Sequence, residues 1–160
     1  EEDKETIKID AEPSMPVNMV VDRSAEQAEQ RKQVLFASLA NMESPSTRIA
    51  ATMKAYDLKN ADKDIVDALV STMNSDPSTN VRLAALDALS RFYREPYVKK
   101  QLIGSLKKQK DPMVQIELIQ LLTQMKQKSI LTELEKMVQD VNTNDAVKDR
   151  AYSSMLTLGS

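Results

Sequence analysis

Three closely spaced aspartates, Asp62, Asp64 and Asp67, are the first candidates for chemistry in this sequence. Neighbouring carboxylates can act as general acid and base or hold a hard cation such as Ca²⁺. However, the stretch lacks the glycine-containing loop of a calcium-binding EF-hand. Asp64 and Asp67 lie three residues apart at the start of a predicted helix, where the helix dipole favours acidic residues. We therefore interpret these aspartates as helix-stabilising residues and predict no metal site.

The absence of histidine and cysteine removes more catalytic chemistry than any other feature of the sequence. Without them there is no thiol nucleophile, no imidazole base and no Cys/His zinc site. Only two glycines are present, and no glycine-rich phosphate-binding motif occurs. We therefore expect a protein that is not an enzyme and that needs no cofactor.

Positive charge is concentrated between residues 91 and 110, where Glu95 is the single acid and the basic residues are Arg91, Arg94, Lys99, Lys100, Lys107, Lys108 and Lys110. With interleaved aromatics, such residues can contact phosphates and stack on bases. They also suit an acidic protein partner, or simply form a solvated helix face and helix end. Phe92 and Tyr93 continue the helical spacing of Leu89, which predicts both aromatics in the core. The chain's net charge of −2 disfavours nucleic acid as a partner.

The elements that position these residues recur along the chain. Aligned segments begin at Thr47, Val81, Val114 and Val147, with spacings of 34, 33 and 33 residues. A fixed period of this length is typical of solenoids built from helix pairs. Three residues before each segment stands a residue type that caps helix N-termini, namely Ser44, Ser78, Asp111 and Asn144. Pro45 and Pro112 then occupy the first helical position, where a missing N–H costs little.

A second helix is predicted in each unit from three apolar trios with the i, i+4, i+8 spacing of one helical face. These trios are Ile65, Leu69 and Met73; Val98, Leu102 and Leu106; and Ile130, Leu134 and Val138. Neither helix of a pair can bury its apolar face alone, so neighbouring units must stack. The sequence therefore predicts an all-α fold, an α-α superhelix of about eight helices.

The predicted organisation is a tail followed by one helical domain. Residues 1–22 form an acidic tail or linker that contains Pro13 and Pro16. Residues 23–160 form the repeat domain. It comprises a leading helix at 24–42, with Val34, Leu35, Leu39 and Met42 on one face, repeats at about 44–75, 76–110 and 111–141, and a half-repeat at 142–160.

The strings Asn80-Val81-Arg82-Leu83-Ala84-Ala85-Leu86 and Asp111-Pro112, the latter followed by Val114, resemble the first helix of HEAT repeats. The resemblance covers about residues 44–158 and is weaker in the last unit, where Asp149 and Arg150 replace apolar or small residues. It implies a curved, right-handed stack of antiparallel helix pairs whose second helices line the concave side. It also implies that the domain binds proteins.

Ser46-Thr47-Arg48-Ile49-Ala50-Ala51, together with the string from Asn80, resembles a more specific group. These are the soluble HEAT regions of bacterial membrane-anchored proteins that carry a zinc-finger anti-sigma segment. The chain starts at Glu1 without an initiator Met, so we expect a processed product or an excised piece, with a membrane anchor upstream. The chain itself contains no zinc finger and no run of 18 apolar residues that could span a membrane. The compartment expected from this resemblance is the cell envelope, with the cytoplasm as the alternative.

The functional prediction is a protein-binding scaffold that uses the exposed face of its second helices. Its contact residues are Asp67, Ser71, Lys100 and Glu133, which fall between core positions, together with the basic residues Arg91, Arg94, Lys99, Lys107 and Lys108. The alternative is binding of nucleic acid or another polyanion through the basic segment 91–110.

Overall fold

The computed structural model describes residues 17–56 and 62–160, and these residues form an all-α structure. No strand occurs in the described ranges, which contain eight α-helices and one 3-10 turn, Lys128–Ile130. The helices are α1 (Val17–Leu39), α2 (Pro45–Tyr56), α3 (Lys63–Ser75), α4 (Thr79–Ser90), α5 (Pro96–Lys108), α6 (Pro112–Gln124), α7 (Leu131–Gln139) and α8 (Asp145–Gly159).

The described residues divide into two units, one that ends at Val34 and one that comprises Leu35–Ser160. In the first unit the structure describes α1 from its first residue, Val17, to Val34. Helix α1 therefore begins inside the stretch 1–22 that the sequence assigned to a tail. On its surface the Gln33 side-chain amide donates a hydrogen bond of 2.9 Å to Glu29, one turn earlier. The acidic residues 1–12 and both prolines of the predicted tail lie outside the described residues.

The second unit is an α-α superhelix made of two rows of helices. The first-helix row consists of α2, α4, α6 and α8, and each of these helices packs against the next. The second-helix row consists of α3, α5 and α7; α3 packs against α5, and the three helices pack against α4, α6 and α8, respectively. The closest hairpins thus join the second helix of each predicted repeat to the first helix of the following one. The connections after α3 and α5 are only three residues long, 76–78 and 109–111.

The apolar trios predicted for the second helices form much of the core. All nine residues are buried except Val138, which is half-buried and packs against the core. Ile130 belongs to the 3-10 turn that precedes α7, and α7 also buries Met137. The prediction for the leading helix was wrong for two of its four apolar residues. Leu35 and Leu39 are buried, whereas Val34 and Met42 are 63% and 61% exposed, because Val34 is rotated away from Leu39 and Met42 follows the end of α1.

The four predicted N-caps are confirmed. The side chains of Ser44, Ser78, Asp111 and Asn144 accept hydrogen bonds from first-turn amides at 3.2, 3.4, 3.0 and 2.9 Å, respectively. Pro45 and Pro112 are the first residues of α2 and α6, as predicted. A side-chain cap satisfies an amide that has no carbonyl partner within its helix. These caps therefore fix where the four first helices begin.

Residues 91–95 form a turn, and this turn changes the environment of the two aromatics that follow Leu89. Phe92 is half-buried and packs against the core, but Tyr93 is 42% exposed. The prediction that Tyr93 lies in the core was wrong because α4 ends at Ser90, so the helical spacing does not extend to residue 93.

Candidate partner-binding site

Asp67 is an exposed residue of α3, the helix of the second-helix row that packs against α5. The Tyr97 hydroxyl donates a hydrogen bond to an Asp67 carboxylate oxygen. The Lys63 ammonium lies 5.2 Å from the centroid of the Tyr97 ring, a cation–π distance. The hydrogen bond with Asp67 raises the pKa of Tyr97 above 10.0, with smaller contributions from burial and from the charges of Asp67 and Asp64. Asp67 is therefore tied to the neighbouring helix.

The four lysines of α5 surround its solvent-facing side. Helix α5 buries Val98, Leu102 and Leu106, while Lys100, Lys107 and Lys108 are exposed and Lys99 is half-buried. Successive helical residues are rotated by about 100°, which places Lys100 and Lys107 opposite the buried side. Within the described part of the chain, none of these four ammonium groups forms a hydrogen bond or an ion pair.

The two arginines of the basic segment lie in the turn between α4 and α5. Arg91 forms an ion pair of 3.4 Å with Asp87 and lines a groove between α2 and α4. Arg94 donates a 3.0 Å hydrogen bond to the Tyr93 hydroxyl and lies 5.5 Å from the Tyr93 ring centroid. The segment 91–110 is continuous in sequence, but the structure directs Arg91 to the first-helix row and the lysines of α5 to the second-helix row.

The remaining predicted contact residues lie on the two other helices of the second-helix row. Ser71 is exposed on α3 and lines a shallow groove with Phe36 and Met42. Glu133 is half-buried in the first turn of α7, where an acidic side chain suits the helix dipole. The Tyr97–Asp67 hydrogen bond links α3 to α5. Among the described residues, Glu133 forms no hydrogen bond or ion pair with the other predicted site residues.

The aspartates considered first as a metal or catalytic site have local structural roles. The Asp62 side chain caps α3 by accepting a 2.8 Å hydrogen bond from the Asp64 amide. Asp64 lies in the first turn of that helix. Across the described ranges, no group of three or more acidic side chains is arranged to hold a metal ion.

A polar network at the connections that follow α3 and α5 was not predicted from the sequence. Arg48 forms a buried ion pair with Asp76, and one repeat later Arg82 donates a 2.9 Å hydrogen bond to the Gln109 side chain. Gln109 is itself buried and donates to the Met73 carbonyl at 3.0 Å. The recurrence of arginine at equivalent positions in two units was the available sequence signal. This network holds the ends of α3 and α5 against the first-helix row.

Two grooves on the first-helix row were also missed. The groove between α2 and α4 contains Met53, and the groove between α4 and α6 contains Met113. These methionines are 69% and 57% exposed, respectively. An isolated exposed methionine leaves no trace in helical periodicity, so the sequence does not indicate these grooves. Single exposed apolar residues are common on protein surfaces. The two methionines therefore do not by themselves mark the grooves as a binding surface.

The comparisons with known proteins agree with the helical repeat architecture. A family model described as HEAT repeats matches residues 33–112, half of the chain. No curated protein and no solved structure matches the sequence. Among the described residues, no helix is both long enough and apolar enough to cross a membrane.

Proposed function

The chain belongs to the HEAT-repeat family, and from this premise we propose that it is a non-catalytic scaffold that binds a protein partner through its second-helix row. Stacked repeats create extended surfaces that suit protein binding. The absence of histidine and cysteine from the whole sequence supports a role without catalysis.

The observation that carries this proposal is the set of unpaired lysines on α5. Lys100 and Lys107 face solvent without an internal acidic partner in the described structure, while Asp67 on the adjacent α3 supplies the opposite charge. A surface with both signs of charge favours specific protein association, because complementary charges steer the partner and fix its orientation. The contact residues proposed for this surface are Asp67, Ser71, Lys99, Lys100, Lys107, Lys108 and Glu133. Arg91 and Arg94, also predicted as contact residues, lie in the turn between α4 and α5.

Affinity capture from a lysate of the source organism tests the proposal. The baits are the wild type, the variant Lys100→Glu/Lys107→Glu and the control Lys54→Glu/Lys128→Glu, which makes the same charge change at exposed lysines outside α5. We expect a protein that is retained through a high-salt wash by the wild type and the control but lost with the α5 variant. Loss with the control alone would place the binding surface away from α5 and contradict the proposal.

Nucleic-acid binding through residues 91–110 is the alternative, and the side-chain environment favours it less. Phe92 packs against the core, and Tyr97 is engaged by Asp67 and Lys63, so Tyr93 is the most available aromatic for base stacking. Anisotropy of labelled single-stranded DNA at increasing salt provides the test, since phosphate contacts weaken steeply with salt. Salt-sensitive binding that is abolished by Lys100→Glu/Lys107→Glu would support the alternative.

The likeness of Ser46–Ala51 and Asn80–Leu86 to the soluble region of bacterial membrane-anchored regulators supports one further proposal. We propose that this domain is the partner-binding part of such a regulator and resides in the cell envelope. The test is fractionation of source cells with an antibody against the domain. Recovery in the membrane fraction is expected, and recovery with cytoplasmic proteins alone would contradict the proposal.

A further inference from the structure

The exposed face of α5 has a gap between its two central lysines. Gly104 is exposed and lies between Lys100 and Lys107 on the side opposite the buried residues. Helical residues seven apart lie on nearly the same face, separated by about 10 Å along the axis. The surface is therefore a shallow saddle, with a lysine at each end and bare backbone in the middle.

No feature of the described structure requires glycine at position 104. The residue lies inside α5 without a positive φ, and a Cβ added there would meet no atom within 4 Å. Glycine is less favourable than alanine within a helix because it loses more backbone freedom on folding. One physical use of glycine at an exposed helical position is to let another backbone approach closely. The glycine at position 104 is therefore explained better by the approach of a binding partner than by packing within the domain.

We infer that α5 is the docking site for an acidic helix of a partner protein. This helix crosses α5 at Gly104 and places carboxylates against Lys100 and Lys107. This inference rests on the proposed function and names the partner class for the same surface. A partner helix with two acidic residues seven positions apart has the same spacing of about 10 Å as the two lysines. The absent side chain at Gly104 lets the two helix axes come close enough for both ion pairs to form.

The charges beside α5 favour a helix over a nucleic acid. Asp64 and Asp67 are exposed on α3, which packs against α5. These carboxylates would repel a phosphate backbone that extended beyond the lysines, whereas a protein helix can present a basic residue to them. Helix α3 also presents Lys63 beside α5, but Asp64 and Asp67 leave this part of α3 with net negative charge. A partner with mixed charge therefore matches both helices better than a uniformly anionic strand does.

The test selects helix-forming segments of about 20 residues, long enough for measurable helicity, from a display library against the full chain. We expect the enriched segments to carry acidic residues seven positions apart on one face. Their synthetic peptides should bind the variant Lys100→Glu/Lys107→Glu about tenfold or more weakly than the wild type. The control Lys54→Glu/Lys128→Glu should bind with unchanged affinity.

The variant Gly104→Leu separates docking from folding. It should lose about tenfold or more in affinity for the same peptides, while its thermal midpoint stays equal to or above that of the wild type. Unchanged peptide affinity in this variant would overturn the crossing at Gly104.

Enrichment of segments without paired acids would overturn the acidic-helix assignment. Labelled single-stranded DNA that bound the same lysines more tightly than the enriched peptides do would also overturn it. The proposed function fails by a different result, namely the absence of any captured protein that depends on the second-helix row.

Discussion

Arg48 of α2 and Asp76, the residue that follows α3, form a buried two-point ion pair. Arg48 Nε and one terminal nitrogen donate to the two Asp76 carboxylate oxygens at 2.7 and 3.0 Å. The second terminal nitrogen of Arg48 donates to the Asn41 carbonyl at 2.8 Å, and Asp76 also accepts from the Ser78 amide at 2.9 Å. The pair therefore joins the first-helix row to the connection between α3 and α4.

The variant Asp76→Ala should lower the free energy of unfolding by about 3–5 kcal/mol, because it leaves the buried Arg48 guanidinium without its counter-charge. Urea denaturation measures the change. The control Asp87→Ala, which removes an exposed ion pair with Arg91, should cost at most about 1 kcal/mol. The double variant Arg48→Met/Asp76→Ala should lose less than the sum of the single variants, and a fully additive result would contradict a coupled pair.

The variant Leu118→Ala in the middle of α6 should destabilise the domain by about 2–5 kcal/mol through lost burial and a residual cavity. Leu118 is fully buried, and its neighbour Glu117 is exposed. Thermal or urea unfolding of Leu118→Ala is compared with that of Glu117→Ala, for which a change within about 0.5 kcal/mol is expected. Equal stability of the two variants would show that residue 118 is not part of a close-packed core.

The variant Lys126→Gly should stabilise the domain by about 1 kcal/mol, because Lys126 has a left-handed backbone conformation with φ of 55° at the end of α6. Its amide donates to the Thr123 carbonyl at 2.9 Å, and the Gln127 amide donates to the Leu122 carbonyl at 3.0 Å. This is a helix-terminating pattern in which glycine is preferred. The control Lys128→Gly, outside the left-handed position, should give no gain, and a lower unfolding midpoint for Lys126→Gly would contradict the expectation.

Tyr97 should titrate at a pKa above 10.0, principally because its hydroxyl donates to the Asp67 carboxylate. The folded-state pKa is raised above the unfolded value, so the stabilisation is present below the ordinary tyrosine pKa and is lost as the pH rises through the folded-state pKa. Tyrosinate absorbance of the wild type minus that of Tyr97→Phe isolates this residue. The variant Asp67→Asn should shift the titration to lower pH. An unchanged curve would show that Asp67 does not stabilise the protonated Tyr97 hydroxyl.

Much of the fold follows from short-range signals in the sequence. The N-caps Ser78 and Asp111 start α4 and α6, and the spacing of Val98, Leu102 and Leu106 identifies the buried side of α5. These signals act within one or two helical turns, so they can be read without knowing which helices pack together. The candidate site was predictable only in part: the exposure of Lys100 and Lys107 follows from periodicity, but the position of Arg91 does not.

The sequence by itself determined the helical class, the repeat period, the cap positions and the apolar side of each second helix, since all of these depend on neighbouring residues. The tertiary structure alone decided that Arg48 meets Asp76, that Tyr97 meets Asp67 and that Arg91 turns toward α2. Those contacts join residues on different helices, and their geometry depends on how the rows pack. The open backbone at Gly104 likewise acquires meaning only when its surroundings are known, because a glycine in sequence does not reveal whether internal packing requires it.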